Sequence, residues 1–200
     1  MIRWIDHLGA WDRTLPAVLL VPGLSAEGPD PFKLFVTRAL DRHEDLVAVE
    51  HRRDRPPVVI EPPGSGLFGA SANGGALAAF ALARTAVGLG IRTEEGKPEI
   101  PWLLLHPLES GMLRRRNGRE RAAAFARLLS IKDAYGRALG APRDPASFAV
   151  RFLDEERAAV ENRTGAAEDS EAQTTWRIAG GRWTAVSAVL LGSSAQVSGA

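Results

Sequence analysis

The chain has 200 residues, 45% of them hydrophobic, which suits one domain or two small lobes sharing a core and excludes a disordered chain. Its 25 basic and 24 acidic residues leave a formal net charge of +1, so no global field points to nucleic acid or an anionic membrane. It has no cysteine, which excludes disulfides, thiolate zinc sites and cysteine nucleophiles. Only Lys33, Lys97 and Lys132 are lysines, leaving 22 arginines, a skew that with the many Ala and Gly residues reflects a GC-rich genome more than a function. No apolar run reaches the roughly 18 residues that span a bilayer. Asp6 and His7 interrupt the apolar N-terminus, unlike a signal peptide. The expectation is a soluble cytoplasmic protein.

In chain order, residues 17–21 (AVLLV) form an apolar run stopped by Pro22-Gly23 and read as a strand. A helix is predicted over Pro31–His43: Asp30 is placed to cap, and Phe32, Phe35, Val36, Ala39 and Leu40 recur at helical spacing. From 46 to 92 the runs LVAVE, PPVVI, GLFGAS, ALAAFAL and AVGLGI read as consecutive strands. Residues 93–101 are a polar connector and the best internal boundary, dividing the chain into lobes 1–95 and 96–200. Pro107–Arg116 and Glu120–Leu139 read as helices, the second stopped by Gly140 and Pro142. Strands resume with SFAVRFL, TTWRIA and RWTAVSAVLLG, around a polar loop over 161–173. This order is α+β in two lobes, not a regular βαβ alternation.

Several familiar patterns fail. Gly64-Ser65-Gly66-Leu67-Phe68-Gly69 matches the dinucleotide fingerprint, but the next residues, ASANGGA, make a poor helix start. Gly23-Leu24-Ser25 resembles a nucleophile elbow with Glu27 where the second glycine belongs. His7, His43, His51 and His106 lack metal-ligand spacing.

The order of pieces over residues 32–191 resembles the surfactin-synthetase-activating type of 4′-phosphopantetheinyl transferase. The elements that carry the likeness are Asp54-Arg55-Pro56, Phe68-Gly69-Ala70-Ser71-Ala72-Asn73, Gly88-Leu89-Gly90-Ile91-Arg92, Leu105-His106-Pro107-Leu108-Glu109 and Leu129-Ser130-Ile131-Lys132-Asp133-Ala134-Tyr135-Gly136-Arg137. They stand where that family has a basic residue before proline, F-N-x-S-H, G-I-D-I-E, F-x-x-x-E and W-S-x-K-E-A-x-x-K. The resemblance implies two pseudo-symmetric lobes with the site in the cleft between them. It also implies coenzyme A as substrate, Mg²⁺ as cofactor and a serine of an acyl or peptidyl carrier protein as acceptor. Such phosphoryl transfer is mostly positioning and charge neutralisation.

By the same resemblance, Asp133 and Lys132 are the catalytic candidates, and Arg55, Ser71, Arg92 and Arg137 the coenzyme A-binding ones. Asp133 is the remaining metal candidate. Gly90 replaces the metal-binding Asp, Arg92 the following Glu, and Ala72 the histidine that meets the coenzyme A phosphate. With one carboxylate left, the expectation is an anion held without metal by Arg92, Lys132 and Arg137. Strand alternation puts Gly90, Arg92 and Glu94 on one face. Read without the family, Asp133 and Arg137 at i, i+4 are an ordinary surface ion pair, worth a few tenths of a kcal/mol. Arg114, Arg115, Arg116, Arg119 and Arg121 form a basic cluster, read either as a solvated helix face or as a dock for an acidic carrier protein. Two functions are open: a transferase with impaired or altered catalysis, or an inactive module that binds a carrier protein or a coenzyme A-like ligand.

Overall fold

The computed structural model describes all residues except 24–27, 52–54, 141–143, 163–169 and 193–200. The described residues form three α-helices and eleven strands, an α+β architecture. One sheet has the order β1 (Arg3–Ile5), β2 (Ala17–Pro22), β6 (Leu77–Ala83), β5 (Phe68–Asn73). A second has the order β7 (Val87–Thr93), β11 (Arg182–Leu190), β10 (Ser170–Ala179), β9 (Arg157–Asn162), β8 (Phe148–Phe152), antiparallel throughout. β3 (Ala48–Glu50) and β4 (Val58–Glu61) form a separate two-stranded sheet whose Val49 and Val59 pack against the core under α1 (Pro31–Leu40).

The sheets are stacked between two helices, and alternation along the strands shows how. On β2 and β6, Ala17, Leu19, Ala78, Phe80 and Leu82 face α1 (Pro31–Leu40), joining Phe32, Phe35 and Val36 in one core. Their alternate neighbours Val18, Leu20, Leu77, Ala79 and Ala81 join Val87, Leu89, Ile91, Val186 and Ala188 of the second sheet in another. The outer face of that second sheet carries α3 (Gly118–Ala138), which buries Leu128, Ile131, Ala134 and Tyr135 against Phe148, Val150, Ala172 and Val189. A strand covered on both faces has no polar side, which is why residues 17–20 and 77–83 are apolar without interruption.

Local chemistry sets the ends. Asp30 accepts from the Phe32 amide at 2.9 Å and Pro31 opens α1. The helix stops at Leu40, short of the expected His43, because Asp41 adopts a left-handed conformation (φ 52°). α2 (Pro107–Arg114) starts on a capping box formed by His106 and Glu109. Gly180 and Gly181, both at positive φ, close the two-residue turn between β10 and β11. Gly69 lies inside β5, so no helix succeeds the G-x-G-x-x-G run and no pyrophosphate cradle forms there.

The 1–95 and 96–200 division does not coincide with the sheets, since β7 pairs with β11 at the edge of the second sheet. The expected loop over 161–173 narrows, because β9 runs to Asn162 and β10 starts at Ser170. Among the described residues, no helix is long and apolar enough to cross a membrane. Ser25 and Glu27, of the elbow-like pattern, lie outside the described residues.

Candidate functional site

The candidate residues converge where α3 crosses β7. Gly88, Gly90 and Arg92 alternate on the β7 face that meets α3, with Leu89 and Ile91 turned into the core between the sheets. The contact is very close. A Cβ on Gly90 would lie 1.9 Å from the Ser130 carbonyl oxygen, and one on Gly88 equally near that of Ala134. Only glycine at both positions lets the helix backbone rest on the strand. A buried hydroxyl chain ties the same turn of α3 to the adjoining strands β11 and β10: Ser130 Oγ lies 2.6 Å from Ser187 Oγ, which lies 2.8 Å from Thr174 Oγ1.

One turn of helix further, Asp133 meets Arg92, with Nη2 to Oδ2 at 2.7 Å. Burial raises the Asp133 carboxyl above its ordinary value, and the positive charges of Arg92 and Arg137 oppose that rise. Arg137 Nη1 donates to the Leu89 carbonyl at 3.0 Å and to the Ser71 carbonyl at 3.2 Å. A single guanidinium therefore ties α3 to the edge strands of both sheets. Arg92, Asp133 and Arg137 are brought together; Ser71 joins them only through its backbone carbonyl, since alternation with Ala70 and Ala72 puts its side chain on the face of β5 turned away from the second sheet. Glu94 continues the same strand face and pairs with Arg119 at 3.6 Å, away from Asp133.

Lys132 and Arg55 are not part of this group. The Lys132 side chain is 4% exposed and its ammonium lies 2.8 Å from Oε1 of Glu109, itself fully buried. It also donates to the Phe148 carbonyl at 3.1 Å and to the Pro145 carbonyl, and sits over the Phe148 ring. Next to Asp133 in sequence, it points about 100° around the helix, into the core. The assignment of Lys132 as a catalytic and anion-holding residue is therefore corrected to an internal ion pair. Arg55 is exposed on the segment entering β4, with no hydrogen bond or ion pair to the others among the described residues. Ala72, the position matching the family histidine, is buried between the sheets and not open to a ligand.

These residues do not fit a magnesium ion. The remaining carboxylate is already held by a guanidinium, and the neighbouring position has no room for a side chain. Among the described residues, no group of three or more His, Asp or Glu side chains is arranged to hold a metal. Neither a protein-family model nor a curated protein matches this sequence. The site is a hydrogen-bonded junction in which one carboxylate meets one of two exposed guanidinium groups, leaving one net positive charge. The phosphate cradle of Arg92, Lys132 and Arg137 is engaged throughout: one member by a carboxylate, one in the core and one by two carbonyls.

Two features were missed at the sequence level. Glu109 is the buried partner of Lys132. The available signal was that Leu128, Ile131, Lys132 and Tyr135 share one apolar helix stripe, where a lysine requires a counter-charge. The second is a cleft of about 420 Å³ between α3, β10 and the β8–β9 turn, lined by Arg116, Arg127, Phe152, Glu155, Thr174 and Trp176. Arg127 stacks on Phe152 and donates to the Asp154 and Arg157 carbonyls at 2.7 and 2.9 Å. Burial lowers its pKa to about 10.

Replacing Arg92 isolates the state of the junction. In Arg92→Gln the Asp133 carboxyl rises further, because its nearest favourable charge is gone. A raised carboxylate binds more protons folded than unfolded. Asp133 therefore contributes stability below its ordinary value of 3.8 that is lost as pH climbs through the folded value. In the variant that window extends to higher pH. Carboxyl-carbon NMR titration of Asp133 in both proteins measures the shift; an unchanged midpoint contradicts it.

Proposed function

We propose that this chain is a catalytically inactive relative of the 4′-phosphopantetheinyl transferases that works as a binding module for an acyl or peptidyl carrier protein. Its likeness to them rests on the collinear motif order and on Arg92, Asp133 and Arg137 meeting where α3 crosses β7, beside the Ser71 backbone on β5. The observation that carries the loss of catalysis is Gly90. It stands at the family's metal-binding Asp, and the Ser130 carbonyl fills the space a side chain would need.

Transfer from a pyrophosphate requires the developing negative charge to be neutralised as it forms. Here Arg92 and Lys132 are already paired with carboxylates, and releasing Arg92 would strand a half-buried Asp133. Binding of a partner protein needs none of this. The reading is tested by incubating the protein with an apo carrier protein, coenzyme A and Mg²⁺ and following the carrier's mass, with calorimetry of the same pair. The expected result is a carrier that is bound and unmodified. A carrier heavier by the phosphopantetheine arm overturns the reading in favour of a transferase. Carrier proteins that neither bind nor change mass overturn it in favour of a scaffold unrelated to that chemistry.

A further inference from the structure

We infer that the cleft between α3, β10 and the β8–β9 turn binds a planar aromatic monocarboxylate, whose carboxylate meets Arg116 and Arg127 and whose ring lies against Trp176. The inference does not depend on the reading of this chain as a carrier-protein module, and it uses none of the residues of the α3–β7 junction. The cleft holds about 420 Å³, which is within the range of small-ligand sites. Its apolar walls are Phe152, Trp176 and the small side chains of Ala123 and Ala124.

Arg127 is the residue that calls for an anion. Only 6% of it is exposed, yet no carboxylate forms an ion pair with it among the described residues. Two of the five N–H groups of its guanidinium are used, by the Asp154 and Arg157 carbonyls, and its buried Nε has no hydrogen-bond partner among the described residues. A charge so deeply buried is ordinarily paired. Of the carboxylates whose field reaches it, Asp154 is taken by Arg157 at 2.7 Å, while Glu155 and Glu156 are exposed on the turn. Arg116 adds a second positive charge where a counter-charge would be expected. Both guanidinium groups lie against the Phe152 ring, at 4.3 Å for Arg127 and 5.7 Å for Arg116, and each opposes the charge of the other. A carboxylate that reaches both supplies the missing counter-charge and relieves their repulsion.

The walls select the rest of the ligand. Trp176 stands two residues after Thr174, whose hydroxyl meets Ser187 beneath α3, so Trp176 is on the face of β10 turned towards the helix. Its indole is partly exposed and has no aromatic or cationic partner among the described residues, whereas the Phe152 ring is already covered by guanidinium groups. An inorganic anion would leave Trp176 unused, and an uncharged ring would leave the arginines unmet. Glu155 and Glu156 also line the cleft and are exposed at its rim, so they oppose any further negative charge. That favours one carboxylate over a polyphosphate such as coenzyme A.

The test is titration of 2-naphthoate into the isotope-labelled full chain, followed by the indole N–H signals and by calorimetry. 2-Naphthamide, inorganic phosphate and coenzyme A are the comparison probes. Arg116→Gln and Trp176→Leu alter partly exposed side chains outside the three cores, and thermal midpoints equal to the native one show that both fold. The expected result is one site for 2-naphthoate that shifts the indole signal missing from Trp176→Leu. Affinity is expected to fall about tenfold or more in either variant, and as much when 2-naphthamide replaces the acid. Phosphate and coenzyme A are expected to leave that signal in place. Equal affinity for 2-naphthamide overturns the inference in favour of an apolar slot. Phosphate or coenzyme A moving the same signal overturns it in favour of a general anion site. So does 2-naphthoate that fails to bind, or that binds both variants as tightly as the native protein.

Discussion

Gly90→Ala is expected to destabilise the protein by at least about 3 kcal/mol, and Gly90→Asp by no less, without creating a magnesium site. A new Cβ would lie 1.9 Å from the Ser130 carbonyl oxygen and 2.9 Å from its carbonyl carbon. Those are backbone atoms in the middle of a 21-residue helix, so no rotamer change relieves the overlap. The helix must lift, which stretches the buried Ser130–Ser187–Thr174 hydroxyl chain and opens the core holding Leu128 and Ile131. Two controls fix the cause. Gly96→Ala meets nothing within 4 Å and is expected to change stability by no more than about 0.5 kcal/mol. Gly136→Ala, in α3 and equally unobstructed, is expected to stabilise by about 0.5–1 kcal/mol. Urea unfolding of the four variants and the native protein checks the order. A Gly90→Ala protein as stable as Gly96→Ala would mean that α3 can rise off β7 at little cost. The closed junction would then be an openable one.

Gly90 also shows what a sequence can convey and what it cannot. The spacing Gly88-Leu89-Gly90 was legible as a strand, and alternation correctly put Gly90 and Arg92 on one face. The reason glycine stands there was not legible, because it belongs to a helix forty residues later that rests on the strand. The same limit explains Lys132. Sequence spacing marks it as one member of a motif, while its direction depends on Glu109 from a different helix. Runs buried on both faces, such as Leu77–Ala83, were easy because burial leaves no polar position. β1 is three residues long, and β9 (RAAVEN) shows only Ala158 and Val160 as inward residues, too few for a periodic signal. The site was therefore legible as a list of positions, and the side chains of three of them, Arg92, Asp133 and Arg137, do meet. What each one does is set by packing across elements distant in sequence.

The internal ion pair gives the other large effect. Glu109→Gln is expected to cost about 3–5 kcal/mol, because it leaves the Lys132 ammonium in the core without its counter-charge. Lys132→Met is expected to cost a similar amount by stranding Glu109, whose oxygens also accept from the Val150 and His106 amides at 2.8 and 3.0 Å. The double variant Glu109→Gln/Lys132→Met removes both charges and keeps an amide oxygen for one of those two donors, the other losing its acceptor as it does in Glu109→Gln, and is expected to be less damaging than either single change. The pH dependence distinguishes a stranded charge from a packing defect. Burial lowers the Lys132 pKa below its ordinary 10.5, and Glu109 is the main group that opposes the fall, with Asp144 adding to it. Without Glu109 the folded value drops further, so the unfolded chain binds more protons than the folded one over a wider range below 10.5. Stability then rises with pH across that range. The deficit of Glu109→Gln relative to the native protein should shrink as pH is raised from neutral towards 10, while that of Lys132→Met, which lacks the titrating amine, should not. Denaturant midpoints measured at several pH values decide it. A Glu109→Gln deficit independent of pH would assign the loss to the α2 cap and the β8 hydrogen bond, and leave Lys132 an amine that does not need Glu109.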